Sequence, residues 1–130
     1  MGNHVGVVLV SHSPGLAAGL RDLLAELGSG QVAVRLAAGT EGGGLGTSYD
    51  LIVREVAQAW SPAGVVVLAD LGSSVLTTVA ALEDHPRDGV RLVDAPFVEG
   101  AVAAVVTAST GAGLDEVVAA AEDARGFRKL

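Results

Sequence analysis

Cysteine is absent from the 130 residues of this chain, which excludes a disulfide framework and thiolate chemistry. Basic residues are few: eight lysines and arginines oppose 15 acidic residues, the net charge is −7, and Lys129 is the single lysine. A protein that binds nucleic acid or an anionic membrane needs a basic patch to displace counterions or attract lipid headgroups. We therefore expect neither nucleic acid nor a membrane as a partner.

Long apolar runs are also absent. No stretch reaches the roughly 18 apolar residues that a membrane span requires. The run at residues 5–10 is too short for the core of a signal peptide, and it ends in the polar Ser11-His12-Ser13. We therefore expect a soluble, cytoplasmic protein. Half of the residues are hydrophobic and there is no internal repeat or linker, so the sequence predicts a single domain over residues 1–130.

Apolar segments rich in β-branched residues alternate with helical patterns along the chain. The first, VGVVLV at residues 5–10, is continuous, which is typical of a strand buried on both faces of a parallel sheet. Further strands are predicted at 31–36, 64–68 and 90–93. Helices are predicted from Pro14 with Ser13 as N-cap, from 47 or 48, around Val75, Leu76, Val79 and Leu82, from 96 to near 111, and over 114–124. The alternation predicts an open α/β fold: a mainly parallel four-stranded sheet, with room for an extra edge strand and with helices on both faces.

Polar side chains follow three of the predicted strands, at 11–13, 39–48 and 70–74. Sites in open α/β sheets lie beyond the carboxyl ends of the strands, and loops after adjacent strands converge. We therefore expect His12 and Asp70 to meet if their strands are neighbours. An imidazole with a pKa near 6.5 is a neutral nucleophile at physiological pH. A carboxylate bonded to one ring N–H fixes the tautomer and frees the other nitrogen to attack.

The same loops carry groups that hold phosphate. Backbone N–H groups at helix N-termini, together with hydroxyls, bind phosphoryl oxygens. The candidate phosphate-binding residues are Ser13, Gly39, Thr40, Thr47, Gly72 and Ser73. No GxxxxGK[ST] loop is present, and the glycine cluster at 39–46 does not follow the first strand as GxGxxG. These features predict a phosphoryl group carried transiently on His12, with no metal and no bound cofactor.

Each of these residues also has a structural interpretation. His12 on its own fits a hydrogen-bonded residue after a strand, Asp70 fits a helix N-cap, and the glycine cluster fits a flexible connection. His4 and His85 are expected to be structural or solvent-exposed. The coincidence of three polar segments at three strand ends favours the functional interpretation.

Several stretches resemble a known family. VGVVLVSHSPGLAAGL, at residues 5–20, resembles the start of the mannose-type IIA domains of the bacterial phosphoenolpyruvate-dependent phosphotransferase system. AAGT at 37–40, GTS at 46–48, ADLGSS at 69–74 and VRLVDAPFVEGAVAAVVTASTGAGLDEV at 90–117 extend the resemblance over nearly the whole chain. The APFVEG element favours the branch of this family that serves dihydroxyacetone kinases.

This resemblance implies a relay with His12 as the phosphorylated residue and Asp70 as its partner. Phospho-HPr, charged by enzyme I from phosphoenolpyruvate, would phosphorylate His12. The carrier would rephosphorylate ADP held on a DhaL subunit, and that ATP would phosphorylate dihydroxyacetone held by DhaK. The resemblance further implies a homodimer. No HPr-like or enzyme I-like segment follows within these 130 residues, so a separate donor is expected.

Two other functions remain open at this point. One keeps the chemistry but makes the chain the IIA component of a mannose-class sugar permease, with a IIB domain as acceptor. The other is a non-enzymatic regulatory or ligand-sensing α/β domain in which His12 is structural.

Overall fold

The computed structural model describes residues 4–28 and 30–130, and within them four strands alternate with five helices. The strands are β1 (Gly6–Ser11), β2 (Val34–Ala38), β3 (Val65–Ala69) and β4 (Val90–Leu92). The helices are α1 (Pro14–Leu27), α2 (Tyr49–Ala59), α3 (Gly72–Asp84), α4 (Phe97–Ser109) and α5 (Leu114–Asp123), followed by a 3-10 turn at Ala124–Gly126. In this described part of the chain, no helix has both the length and the apolar character needed to cross a membrane.

The strands form one parallel sheet in the order β2-β1-β3-β4. On β1, Val8 pairs with Arg35 of β2 on one side and with Val67 of β3 on the other. The predicted parallel four-stranded sheet is confirmed, and the residues at 4–28 and 30–130 add no further edge strand. The chain builds outward from β1 to β2 and then crosses to β3, so the strand order reverses between β1 and β3. That reversal is where ligand sites form in open α/β sheets.

Helices cover both faces of the sheet, as predicted. The core on one face joins α1, α4 and α5 to Val7 and Leu9 of β1. The core on the other face includes Ile52 of α2 and Ala81 of α3, packed with Val8 and Val10. All six residues of β1 are buried, because successive side chains enter opposite cores. This is why residues 6–10 of β1 are continuously apolar rather than alternating.

The second strand differs from its prediction. It was expected at 31–36, but β2 runs over Val34–Ala38 and begins three residues later. As an edge strand it alternates between half-buried Val34 and Leu36 and exposed Arg35. Its limits are set by pairing with β1, which ends at the Ser11–Ala38 pair, and β-propensity carries no information about that register.

The orientation of α3 is the least expected feature of the fold. Helical spacing of its large apolar residues would normally turn them towards the core. Instead the buried residues of α3 are Ser74, Thr78 and Ala81. The larger Val75, Leu76 and Val79 are exposed, and only Leu82 of the predicted set is half-buried. Because the side chains that face the sheet are small, α3 lies close to it. The buried Thr78 hydroxyl has a hydrogen-bond partner within the helix, since it donates to the Ser74 carbonyl at 2.7 Å.

Candidate active site

His12 lies directly after β1, and Asp70 lies directly after the neighbouring β3. The Asp70 backbone N–H donates to the Val10 carbonyl at 3.1 Å, which extends the pairing of the two strands. The His12 backbone N–H in turn donates to Asp70 Oδ2 at 3.0 Å. The contact expected from adjacent strands is therefore present, and it holds both residues by their main chains as well as by their side chains.

The ring of His12 has two distinct environments. Nδ1 lies 3.0 Å from Asp70 Oδ1, while Nε2 is hydrogen-bonded to the Ser73 hydroxyl. A carboxylate only accepts hydrogen bonds, so Nδ1 carries the proton and the lone pair of the neutral ring is on Nε2. The His12 side chain is 26% exposed and that of Asp70 only 7%. The accessible nitrogen is thus the unprotonated one.

Asp70 is held as an anion. Burial raises the pKa of its carboxyl, but hydrogen bonds from the His12 backbone N–H, the Ser74 hydroxyl, the His12 ring and the Ser11 hydroxyl outweigh burial and lower that pKa from 3.8 to about 2. The Leu71 N–H also donates to Oδ1 at 2.7 Å. The carboxylate therefore stays charged at neutral pH and can stabilise positive charge on the imidazole.

Two buried serines fix this carboxylate, and the sequence-based candidates did not include them. The Ser11 hydroxyl donates to Asp70 Oδ2 at 2.9 Å, and the Ser74 hydroxyl donates to Oδ1 at 2.8 Å. Both residues are fully buried. Signals for them exist: Ser11 is the one polar residue of an otherwise apolar strand, and Ser74 follows Asp70 by one helical turn.

Thr47 is connected to the site through the Ser74 hydroxyl. Its hydroxyl lies 3.1 Å from that of Ser74. The single hydroxyl proton of Ser74 is donated to Asp70, so Thr47 is the donor of this pair. Ser74 Oγ is also 3.1 Å from His12 Nδ1. Thr47 therefore supports the Asp70 carboxylate through the Ser74 hydroxyl.

Two predicted phosphate-binding residues, Gly72 and Ser73, begin α3 beside His12 Nε2. Both are exposed, and a methyl group added at Gly72 would meet no atom within 4 Å. The first backbone hydrogen bond of α3 is donated by the Val75 N–H to the Leu71 carbonyl at 3.1 Å. The N–H groups of Gly72 and Ser73 precede it and have no intrahelical acceptor. They form the positive end of a helix next to Nε2.

The remaining predicted phosphate-binding residues, Ser13, Gly39 and Thr40, have structural partners. The Ser13 hydroxyl caps α1 by accepting the Leu16 N–H at 3.1 Å, as expected for an N-cap. The Gly39 N–H donates to the Ser11 carbonyl at 2.9 Å. The Thr40 hydroxyl accepts the Gly44 N–H at 3.1 Å, within the glycine-rich loop. These groups shape the site and are less free to hold a phosphoryl group than α3.

The other two histidines lie away from this site. His85 is exposed and packs edge-on against Tyr49, with 6.0 Å between ring centroids. His4 was expected to be structural or solvent-exposed; it is half-buried, and its Nδ1 is buried without a hydrogen-bond partner among the described residues. In residues 4–28 and 30–130, no three histidine, aspartate or glutamate side chains are grouped in a way that could hold a metal ion.

Comparison with known proteins identifies the family. A family model, EIIA-man, described as PTS system fructose IIA component, matches residues 6–118. The chain belongs to this family. The match covers every element from β1 into α5, including both sides of the His12–Asp70 contact.

Curated relatives are named as phosphoryl donor subunits. The DhaM subunit of PEP-dependent dihydroxyacetone kinase 2 from Listeria innocua is 32% identical over 78% of this chain and 84% of that protein. The DhaM subunit from Providencia stuartii is 35% identical over 92% of this chain, which spans only 26% of that longer protein. The chain is therefore similar both to a DhaM protein of about its own length and to part of a longer one.

Two solved structures share the fold. The crystal structure of EF1359, described as a protein of unknown function, is 30% identical, with a TM-score of 0.87 and 98% of both chains covered. The dihydroxyacetone kinase of C. freundii superposes with a TM-score of 0.65 over 94% of this chain and 25% of the kinase. At 16% identity, the second likeness shows a common fold alone.

Proposed function

We propose that this chain is a phosphoryl carrier that accepts phosphate from phospho-HPr on His12 and transfers it to ADP bound on a DhaL subunit. The observation that carries this proposal is the state of the imidazole: Nδ1 is bonded to the Asp70 carboxylate, and Nε2 is accessible beside the first turn of α3. The names of the DhaM relatives support the pathway. In this proposal the partners are HPr, DhaL and DhaK, the carrier is a homodimer, and the relay operates in the cytoplasm.

The proposed first step is an in-line displacement. The Nε2 lone pair of His12 attacks the phosphorus atom of the phosphorylated donor protein, and the N–P bond of the donor breaks with its electron pair returning to the donor ring. The new Nε2–P bond leaves positive charge on the His12 ring, which still carries its Nδ1 proton. Asp70 stabilises that charge. In the second step, a β-phosphate oxygen of ADP attacks phosphorus, the Nε2–P bond breaks, and ATP forms.

The start of α3 is the proposed cradle for the transferred group. The N–H groups of Gly72 and Ser73 and the Ser73 hydroxyl are donors next to Nε2. Phosphoryl transfer requires mainly positioning and stabilisation of charge on the equatorial oxygens. These donors are neutral, and the single lysine, Lys129, is paired with Glu99 at 2.7 Å. Neutral donors hold a phosphoryl group less tightly than a fixed cation would, which favours its transfer to an acceptor.

The test is reconstitution with labelled phosphoenolpyruvate, enzyme I and HPr. The wild-type chain should acquire an acid-labile, base-stable label, as expected for phosphohistidine, and His12→Ala should acquire none. His85→Ala is the matched control and should be labelled like wild type, because His85 is exposed and remote from Asp70. Equal labelling of His12→Ala would reject the site, and an unlabelled wild type would favour the non-enzymatic alternative.

A second arm of the test identifies the acceptor. The purified phosphoprotein is mixed either with DhaL carrying ADP or with a IIB domain of a mannose-class permease. Loss of label from the carrier with formation of ATP on DhaL supports the proposed pathway. Transfer to the IIB domain alone would assign the chain to a sugar permease.

A further inference from the structure

Ser73, His12 and Asp70 form a hydrogen-bonded chain that supports a second kind of chemistry. The Ser73 hydroxyl is hydrogen-bonded to His12 Nε2, and Nδ1 of the same ring lies 3.0 Å from Asp70 Oδ1. Because Nδ1 carries the proton, Nε2 accepts its hydrogen bond and the Ser73 hydroxyl donates it. In serine hydrolases, a serine that donates to such a carboxylate-bound imidazole is activated as a nucleophile. The three residues therefore have the connectivity of a Ser-His-Asp triad.

Ser73 also lies where a substrate can reach it. Its side chain is exposed, and it belongs to the first turn of α3, which follows the end of β3 after Asp70 and Leu71. Nucleophilic serines of α/β-hydrolases lie at a strand-to-helix turn of this kind, beyond the carboxyl end of the sheet. The adjacent Ser74 differs in both respects, because it is fully buried and donates to Asp70. Ser73 is thus the serine of this turn that can attack a bound molecule.

Backbone donors for an oxyanion lie beside this hydroxyl. The helical hydrogen bonds of α3 start with the Val75 N–H, so the N–H groups of Gly72 and Ser73 come before them. In acyl transfer, the carbonyl oxygen gains negative charge in the tetrahedral intermediate, and N–H groups beside the nucleophile stabilise that charge. In serine proteases, the N–H of the nucleophilic serine is itself one of the two donors. Gly72 and Ser73 supply a pair of this kind.

The adjoining cleft indicates the class of substrate. It has a volume of about 400 Å³, lies between the start of α3 and the end of β4, and is lined by Gly72 and by apolar side chains that include Leu71 and Leu92. Asp70 and Asp94 also line it. Two carboxylates in one cleft repel anionic substrates, whereas apolar walls bind an acyl group. The cleft therefore favours a small, neutral ester.

We propose that the unphosphorylated chain is also an esterase, with Ser73 as nucleophile, His12 as general base and Asp70 as the residue that positions the ring. Ser73 Oγ attacks the carbonyl carbon of the ester, the carbonyl π electrons move to oxygen, and Nε2 accepts the hydroxyl proton. The tetrahedral intermediate then collapses, the bond to the leaving-group oxygen breaks, and Nε2 returns the proton to that oxygen. Water attacks acyl-Ser73 by the same route and releases the carboxylic acid.

This activity goes beyond the proposed function and does not depend on it. The esterase needs neither a phosphoryl donor nor ADP. A phosphoryl group on Nε2 would occupy the lone pair that accepts the Ser73 proton, so the two activities would use the same ring at different times.

Hydrolysis of p-nitrophenyl acetate measures the proposed activity. The wild-type chain should release p-nitrophenol in a burst as acyl-Ser73 accumulates, followed by slower turnover. In Ser73→Ala, kcat/KM should fall by about a hundredfold or more, because the nucleophile is lost. The matched control is Ser109→Ala, in the last turn of α4, where the serine hydroxyl donates to the Val106 carbonyl at 2.7 Å. This control should match wild type. If Ser73→Ala were as active as wild type, an imidazole would be attacking the ester directly and the proposal would be wrong.

A fluorophosphonate probe, which reacts with activated serines, tests the role of the base. Peptide mass spectrometry should locate the adduct on Ser73 in wild type and should find none in His12→Ala, since the hydroxyl is then no longer activated. His85→Ala should be labelled like wild type, because His85 is exposed and packs against Tyr49. Labelling of Ser73 that persists in His12→Ala, or an adduct confined to another residue, would overturn the proposal.

Discussion

Asp70 contacts His12 at two points, with Oδ2 accepting the backbone N–H and Oδ1 facing ring Nδ1, each at 3.0 Å. The backbone contact places the histidine, and the ring contact sets its tautomer. Ser11 and Ser74 hold the carboxylate from the buried side, so its orientation does not depend on the ring alone. One side chain thus decides both where Nε2 lies and whether Nε2 carries the lone pair.

The first prediction concerns the charge of this carboxylate. Asp70→Asn keeps the shape but removes the negative charge, and its amide can donate as well as accept. The imidazole tautomer is then no longer enforced and the charge of the phosphorylated ring is no longer stabilised. Phosphorylation of His12 by phospho-HPr should slow by about two to four orders of magnitude, measured by rapid quench.

Asp50→Asn is the matched control for this variant. Asp50 is exposed in the first turn of α2. Its loss should leave the transfer rate within error of wild type. If Asp70→Asn transferred phosphate at the wild-type rate, Asp70 would have only a structural role at the start of α3.

The second prediction is a pH dependence of stability. The pKa of Asp70 is lowered to about 2 by its hydrogen bonds, so the unfolded chain binds the proton more tightly than the folded one. The carboxylate therefore contributes about 2 kcal/mol to the free energy of unfolding at neutral pH. This contribution is fully present above about pH 5, begins to fall near pH 4 and is lost as pH falls towards 2.

Urea unfolding of wild type and Asp70→Asn from pH 2 to 7 measures the contribution of the Asp70 carboxylate to stability. The difference in free energy between the two proteins should be constant from about pH 5 upwards and should shrink below about pH 4. A difference that stays the same down to pH 2 would show that the carboxyl of wild type titrates normally.

How far the sequence predicts the fold can be judged from individual strands. The run at 5–10 identified the central strand because burial on both faces removes polar residues altogether. The edge strand was misplaced, since β2 is specified by its pairing with β1 and its own residues alternate only weakly. Local pattern determines that a strand exists, whereas register is a property of two segments together.

The candidate site, like the fold, was predicted from the sequence only in part. His12 and Asp70 were predicted to meet because each follows a strand, and the order β1-β3 makes those strands neighbours. Ser11 and Ser74 were missed, because a hydroxyl becomes informative only when the fold shows that it is buried and which group it contacts. The exposure of Val75 and Leu76 was equally hidden, since hydropathy does not record which side of a helix faces solvent.

The third prediction separates two adjacent serines of α3. Ser74→Ala removes a fully buried donor to Asp70 and leaves the Thr47 hydroxyl without its acceptor, so stability should fall by about 1–3 kcal/mol. Ser73→Ala removes an exposed hydroxyl and should leave stability within about 0.5 kcal/mol of wild type. The transfer rate of Ser73→Ala should nevertheless fall by about tenfold or more, because a donor next to Nε2 is lost.

Thermal unfolding and rapid-quench phosphorylation of both variants check this contrast. The two serines are matched controls for each other, because they are the same residue type in the same turn of α3 and differ in their burial and in their hydrogen-bond partners. A destabilised Ser73→Ala, or a Ser73→Ala that transfers at full rate, would contradict the role given to the start of α3.

The last prediction concerns the glycine loop, where Gly39 has a backbone φ of +70°. A Cβ at this position would lie 2.5 Å from the Gly44 carbonyl oxygen and 2.6 Å from Pro14 Cγ, so Gly39→Ala must shift the loop or the start of α1. The same loop holds His12 through the Gly46 N–H, which donates to the His12 carbonyl at 2.9 Å. Gly39→Ala should therefore lower the free energy of unfolding by roughly 1–3 kcal/mol and slow phosphorylation of His12.

Gly42→Ala is the matched control within the same loop. The structure assigns Gly42 no positive φ, and the one atom near an added Cβ is the Thr40 hydroxyl at 4.0 Å. This variant should keep wild-type stability and rate, measured by urea unfolding and rapid quench. Equal behaviour of the two variants would mean that the loop adapts freely and does not position His12. A loss confined to Gly39→Ala would show that the close approach of the loop to Pro14 fixes the backbone from which the reactive imidazole projects.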